Sequence, residues 1–306
     1  MRPSFPLVAM AMFYVFVQAA AILLAPLFLP EFSAFQDPND PVNPIIYIFL
    51  VLVMTGIVLI LVKFGRQRII QAIFYISIFI TLVYVFTPLL LLVDPEGWLA
   101  LLGSLGLAAV LMIALVKSGE WYVIDAIGLI VAVGVTALLG LSLGILPVFI
   151  LLVLMAIYDA ISVYKTKHMV ALAESVTPLR LPVLFIVPKN KDFTMDKLDQ
   201  TGIVPKEGGE REAFFMGVGD AVIPGILVVS SSLYLPETAS FLLTANLWVA
   251  IGTIIGGLIG YLGLIRFVLR GNPQAGLPFL NTGAILGYLA TYLLVYQEVG
   301  LGMIGL

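Results

Sequence analysis

The sequence predicts an all-α polytopic membrane protein of nine transmembrane helices, with the amino terminus cytoplasmic and the carboxyl terminus outside. Three observations predict it. Of 306 residues, 61% are hydrophobic and only 11% charged, against about 25% charged in soluble domains, and the mean hydropathy is +1.14. Nine apolar stretches are each long enough to cross a hydrocarbon core of about 30 Å. All 15 Lys and Arg residues fall on one side of the resulting alternation.

Leu7–Leu29 follows Arg2 and ends near small residues, as a secretory signal would. It is longer than the usual 7–15-residue apolar region and has no clear cleavage site, so it reads as the first helix. Ile45–Val62 is the second and runs into Lys63, Arg66 and Arg68. Ile69–Leu92 returns to Asp94 and Glu96, and Leu99–Val116 ends at Lys117. Tyr122–Leu139 and Ile145–Tyr164 are the fifth and sixth helices, and eight basic residues lie between Lys165 and Arg211. Phe214–Leu235 precedes Glu237, Ala239–Leu264 precedes Arg266 and Arg270, and Leu277–Tyr296 precedes Glu298. The opposite side carries Glu31, Asp37, Asp40, Asp94, Glu96, Glu237 and Glu298 with no basic residue. Positive charge marks the cytoplasmic side, and an odd number of spans lets the alternation close. The expected organisation is one integral membrane domain: helices one to six over 1–164, a cytoplasmic loop over 165–213, and helices seven to nine over 214–306.

The net charge of −3 offers no broad basic surface, which sets nucleic-acid binding aside. With no cysteine there are no disulfides, thiolate metal sites, cysteine nucleophile or palmitoylation site.

Within this apolar background Asp159 and Asp220 are the informative residues. A carboxylate near the bilayer centre costs roughly 2.5–3.5 kcal/mol on insertion scales, so each implies a function. Asp159 lies six residues before Lys165 on a descending helix, and Asp220 six residues after Phe214 on an ascending one. At about 1.5 Å per residue both sit roughly 9 Å inside the cytoplasmic boundary, facing each other if the helices are neighbours. The spacing predicts a separation that one water or one substrate carbonyl can bridge.

The surroundings read as a cavity. Asp159, Ser162 and Thr166 make a polar stripe at helical spacing. Pro224 cannot donate to the carbonyl of Asp220, which frees an acceptor there. Gly217 and Gly219 remove side chains just before the aspartate and allow another backbone to approach.

Tyr158-Asp159, Gly217-Val218-Gly219-Asp220 and Pro278-Phe279-Leu280 occur in that order on the sixth, seventh and ninth helices. They resemble the YD, GxGD and PAL signatures of presenilin and signal peptide peptidase, and the likeness spans the nine-helix plan. The resemblance implies an intramembrane aspartic endopeptidase with Asp159 and Asp220 catalytic, and Tyr158, Gly217, Gly219, Pro278, Phe279 and Leu280 shaping the site or binding substrate. Phe279 stands where the family usually has alanine. The charge distribution is similar to presenilins, whose amino terminus is cytoplasmic. No cofactor, no metal and no obligate partner subunit is implied. The expected partners are single-pass transmembrane substrates and the bilayer, and the expected location is the cell membrane.

Two carboxylates sharing one proton can split the acid and base roles, because like charges about 3 Å apart do not both ionise readily. No covalent intermediate is expected, and the roles belong to the coupled pair.

In the long loop, Leu181–Val187 is apolar, flanked by Pro178 and Pro188 and too short to span. It reads as a strand that could pair with an unwound substrate, or as a segment resting on the interface. Lys189 to Arg211 reads as mobile polar loop. Asp125, a third intramembrane acid soon after Lys117 and Trp121, reads as an interfacial or hydrogen-bonded structural acid, with a functional role the alternative. Gly252, Gly256 and Gly260 form a smooth stripe for close helix packing, with dimerisation the alternative. Gly140-Leu-Ser-Leu-Gly144 has the spacing of a nucleophile elbow but no preceding strand. His168, the single histidine, reads as an interfacial polar residue and excludes an HExxH zinc site. The rival from another class is a proton- or cation-coupled transporter or channel using the same acids.

Overall fold

The computed structural model describes residues 5–28, 32–95, 97–166, 177–190, 193–195, 198, 212–240, 242–268 and 274–304. His168 and most of the polar stretch before Arg211 lie outside them. Nine helices occur among the described residues: α1 (Phe5–Leu24), α2 (Asn43–Lys63), α3 (Gln67–Leu91), α4 (Trp98–Ser118), α5 (Trp121–Ser142), α6 (Ile145–Ala160), α7 (Val218–Tyr234), α8 (Ala245–Val268) and α9 (Leu277–Tyr296). Eight spans are long and apolar enough to cross a membrane, and α7, at 17 residues, is shorter. The chain is a multi-pass integral membrane protein.

The segment expected to begin the seventh span at Phe214 divides. Ala213–Gly217 is a strand, β2, and the helix starts only at Val218. Ala-Phe-Phe-Met is as apolar as the helix it precedes, so hydropathy does not separate the two; β-pairing does. Its partner β1 (Leu184–Pro188) is the strand expected over Leu181–Val187, begun three residues later. The two are antiparallel, with Leu184 opposite Gly217 and Ile186 opposite Phe215. Backbone bonds from Val218 N–H to the Val183 carbonyl (3.1 Å) and from Lys189 N–H to the Glu212 carbonyl (2.9 Å) set the phase. The odd-numbered residues of β1 therefore face β2, whereas Leu184, Ile186 and Pro188 turn outward. Pro188 sits where no ladder donor is lost. The eighth span also starts late, at Ala245, after a bridge between Ala239 and Thr244.

The contacts divide the chain into two compact units. The first comprises Met1–Phe13, Val53–Gly134 and Met169–Gly219. Its core joins Ile78 and Leu82 of α3, Leu115 of α4, Ile124 and Ile127 of α5, and Ile186 of β1. α4 closes at Gly119, whose φ of 57° suits a glycine cap and whose N–H donates to the Leu115 carbonyl (3.2 Å).

The second unit comprises Tyr14–Leu52, Val135–His168 and Asp220–Leu306. Leu151 and Leu152 of α6, Ile226 and Leu227 of α7, Val249 of α8 and Tyr288 of α9 share its core. The glycine stripe of α8 is used inside the chain. A Cβ at Gly256 would strike the Gly283 carbonyl and the Gly287 backbone of α9, and one at Gly260 would strike the Phe279 carbonyl. Backbone lies on backbone here, the packing that small residues permit between membrane helices.

Candidate active site

Asp159 comes one residue before the end of α6 and is 5% exposed. Beyond Ala160 the helix loosens into a π turn, Ile161–Lys165, with Thr166 N–H reaching back five residues to the Ile161 carbonyl (3.0 Å). Ser162 is buried and its hydroxyl donates to the Asp159 carbonyl (2.9 Å). The extra residue per turn takes Thr166 off the expected polar stripe and leaves it exposed. It also carries Tyr164 to the segment before α9, where its hydroxyl donates to Gln274 Oε1 (2.9 Å) and accepts from Ala275 N–H (3.3 Å).

That segment meets both aspartates. Leu277 N–H donates to Asp159 Oδ2 (3.0 Å), and the Gly276 backbone adds a second contact to the same carboxylate. Leu277 opens α9, so a buried oxygen satisfies one of the donors that every helix start leaves unpaired. Asp220 lies in the first turn of α7 and is half-buried. A Cβ built on Gly276 would stand 2.9 Å from Asp220 Oδ2, 3.0 Å from its Cγ and 3.1 Å from Oδ1. The two carboxyl groups flank consecutive residues of one backbone, which bounds their separation at about 10 Å.

The other expected residues lie on α6, β2, α7 and α9. Gly219 is exposed, and a Cβ there would meet no atom within 4 Å, so the space before Asp220 is open. Gly217 ends β2. Pro278 falls in the first turn of α9, where its missing N–H costs no helix bond, and Leu280 is fully buried. The ring of Phe279 lies 5.3 Å from that of Phe267 on α8, and its Cδ1 would be 3.8 Å from a Cβ at Gly263. A larger side chain than the family's usual alanine thus packs against α8. Tyr158 packs on the core of the second unit. Among the described residues no group of three or more histidine, aspartate or glutamate side chains could hold a metal ion.

Comparison with protein families matches residues 10–296 to the signal-peptide peptidase, presenilin aspartyl protease family. The chain belongs to that family. Among solved structures it is similar to a presenilin family intramembrane aspartate protease seen in two space groups. One shares 36% identity at a TM-score of 0.69, covering 94% of this chain and 99% of that one. The other shares 37% at 0.67, covering 94% and 98%. No curated protein sequence matches. This is an intramembrane aspartyl protease by family, which decides between proteolysis and the transporter alternative that the buried acids alone left open.

Three residues at the candidate site lie outside the sequence motifs. Gly276 precedes the Pro-x-Leu motif but matters through a tertiary contact with Asp220. Leu277 contributes a backbone N–H, which any residue except proline would supply. Tyr164 lies in the π turn and meets partners at Gln274 and Ala275, far along the chain. A glycine directly before Leu-Pro at a helix start was the one available hint.

Proposed function

We propose that Asp159 and Asp220 are the catalytic dyad of this protease and hydrolyse peptide bonds inside transmembrane segments of single-pass substrates. The convergence of both carboxylates on Gly276–Leu277 supports this reading above all else. One carboxylate removes a proton from water as its oxygen attacks the peptide carbonyl carbon. The protonated partner gives its proton to the carbonyl oxygen. The tetrahedral diol then collapses with proton transfer to the leaving nitrogen, so no bond to the enzyme forms. The backbone at Gly276–Leu277 holds the pair in register, while Pro278 and Leu280 fix the start of α9 beneath it. Gly219 keeps the approach clear, Gly217 ends the strand that leads to it, Phe279 sets its width through the α8 contact, and Tyr158 seats the Asp159 end of α6.

A transmembrane helix must open before its amides can be attacked. The hairpin offers a template for the opened strand, on β2 and not on the strand that the sequence marked. The outward groups of β2 belong to Ala213, Phe215 and Gly217, and β2 runs directly into the turn bearing Asp220. Addition of an extended peptide to this edge supplies backbone bonds in place of those lost on unwinding. α7 supports a submerged site, since 17 residues rise only about 25 Å against a hydrocarbon core of about 30 Å.

The charge asymmetry supports a cytoplasmic amino terminus, a site near the cytoplasmic face, and a single membrane domain whose 165–213 segment is cytoplasmic. Residence in the cell membrane and action without further subunits complete the proposal. The test is proteolysis of a single-pass helical substrate by purified protein in bilayers, run in ¹⁸O water. Products cut within the apolar segment, with one ¹⁸O in the new carboxyl group, are expected. Products cut only outside the apolar segment would refute the reading.

A further inference from the structure

Asp125 is a buried acid for which the dyad mechanism has no step. It lies on α5 and is 3% exposed, and its Oδ1 accepts from the backbone N–H of Ile186 (2.9 Å). Its Oδ2 has no hydrogen-bond partner among the described residues. Ile186 is at an outward-facing position of β1, so the carboxylate takes the donor that an added strand would need. One turn further along α5, Gly128 faces the same segment: a Cβ there would make ordinary contact with Phe185 Cε1 (3.4 Å) and Pro182 Cβ (3.6 Å). The bond and the glycine lie at i and i+3 of one helix face, and Pro188 removes the next outward donor of β1. On β1 the Ile186 donor is thus taken and Pro188 has none, whereas on β2 the N–H groups of Phe215 and Gly217 point away from β1.

We propose that Asp125 is a positioning residue: by accepting the Ile186 N–H it anchors β1 to α5 and closes that edge, so that an extended substrate pairs only with β2. The inference rests on the reading of β2 as the substrate's template. A peptide on the β1 edge would lie three strand spacings, about 14 Å, from one on β2, and could not present the same bond for cleavage. Closing one edge is the way sheets avoid unwanted pairing, here turned to choosing the productive side.

Two measurements on the full-length protein in bilayers test it. Hydrogen exchange of the 181–188 peptide reads the anchor, and mass spectrometry of products from a single-pass helical substrate reads the position cut. Asp125→Ala should speed exchange at Ile186 by at least about tenfold, as expected for a lost bond to a buried carboxylate. It should also spread cleavage to neighbouring bonds, each residue of slip being about 3.3 Å along the strand. Asp125→Asn keeps an acceptor oxygen and should match wild type in both. Ile186→Pro deletes the donor in place of the acceptor and should reproduce the product pattern of Asp125→Ala, which keeps the test alive if the alanine variant does not fold. A purely structural role would lower the amount of product without moving the cut. Wild-type exchange in Asp125→Ala, an unmoved cut site in Asp125→Ala or Ile186→Pro, or asparagine behaving as alanine would each overturn the proposal. Exchange needs no turnover, so an inactive wild type would count against the protease reading and leave the anchor to be judged by exchange.

Discussion

Gly276→Ala places one methyl group between the start of α9 and Asp220, and the geometry sets its consequence. The backbone at Gly276 is ordinary, with φ −81° and ψ −44°, so no strain opposes alanine. Replacing a glycine in such a conformation stabilises a fold by about 0.4–1 kcal/mol through the unfolded chain. The new Cβ, however, would stand 2.9–3.1 Å from all three carboxyl atoms of Asp220. Ordinary contact begins near 3.5 Å, so the carboxylate has to move by about 0.5 Å. Since misplacement by about 1 Å can cost about 100-fold, half that shift corresponds to about tenfold in kcat. The expected outcome is a kcat about tenfold lower, an unchanged KM and a thermal midpoint no lower than wild type. Gly276→Val should lose still more. The assay is single-turnover cleavage of a reconstituted helical substrate beside a thermal melt. Full wild-type kcat in the alanine variant would refute the idea that this glycine spaces the two carboxylates.

Phe215→Pro removes an outward N–H from β2 while leaving the ladder to β1 intact, and should raise KM for helical substrates at least several-fold; unchanged KM would dismiss strand addition at this edge. Gly256→Leu drives a side chain into the α9 backbone, which cannot move aside, and should destabilise the fold by about 3 kcal/mol in chemical denaturation. A dyad working with one proton loses activity once both carboxyls are ionised, so the rate should fall as pH rises into the alkaline range; a profile flat across that range would contradict shared protonation.

The spans and the two candidate acids were legible because membrane insertion penalises charge so strongly that Asp159 and Asp220 stand out from their helices. The order of Tyr-Asp, Gly-x-Gly-Asp and Pro-x-Leu then fixed the family resemblance. What escaped the sequence depends on tertiary pairing. Phe214 to Gly217 has the hydropathy of a helix and becomes strand only through Leu184–Pro188. The π turn after Asp159 has no compositional mark, yet it exposes Thr166 and turns Tyr164 to Gln274. Asp125 was readable as a structural acid, but its partner lies 61 residues away on a strand whose phase only the pairing reveals. The glycine stripe of α8 was readable as a packing surface, and its partner, Gly283 and Gly287 of α9, carries the same small-residue pattern.

The most direct measurement is cleavage of one reconstituted substrate by wild type, Asp159→Asn, Asp220→Asn and the double variant, each first shown to be folded. If the carboxylates act as a unit, each single change abolishes cleavage and the double variant is no worse than either. Substantial cleavage surviving either single change would contradict the dyad.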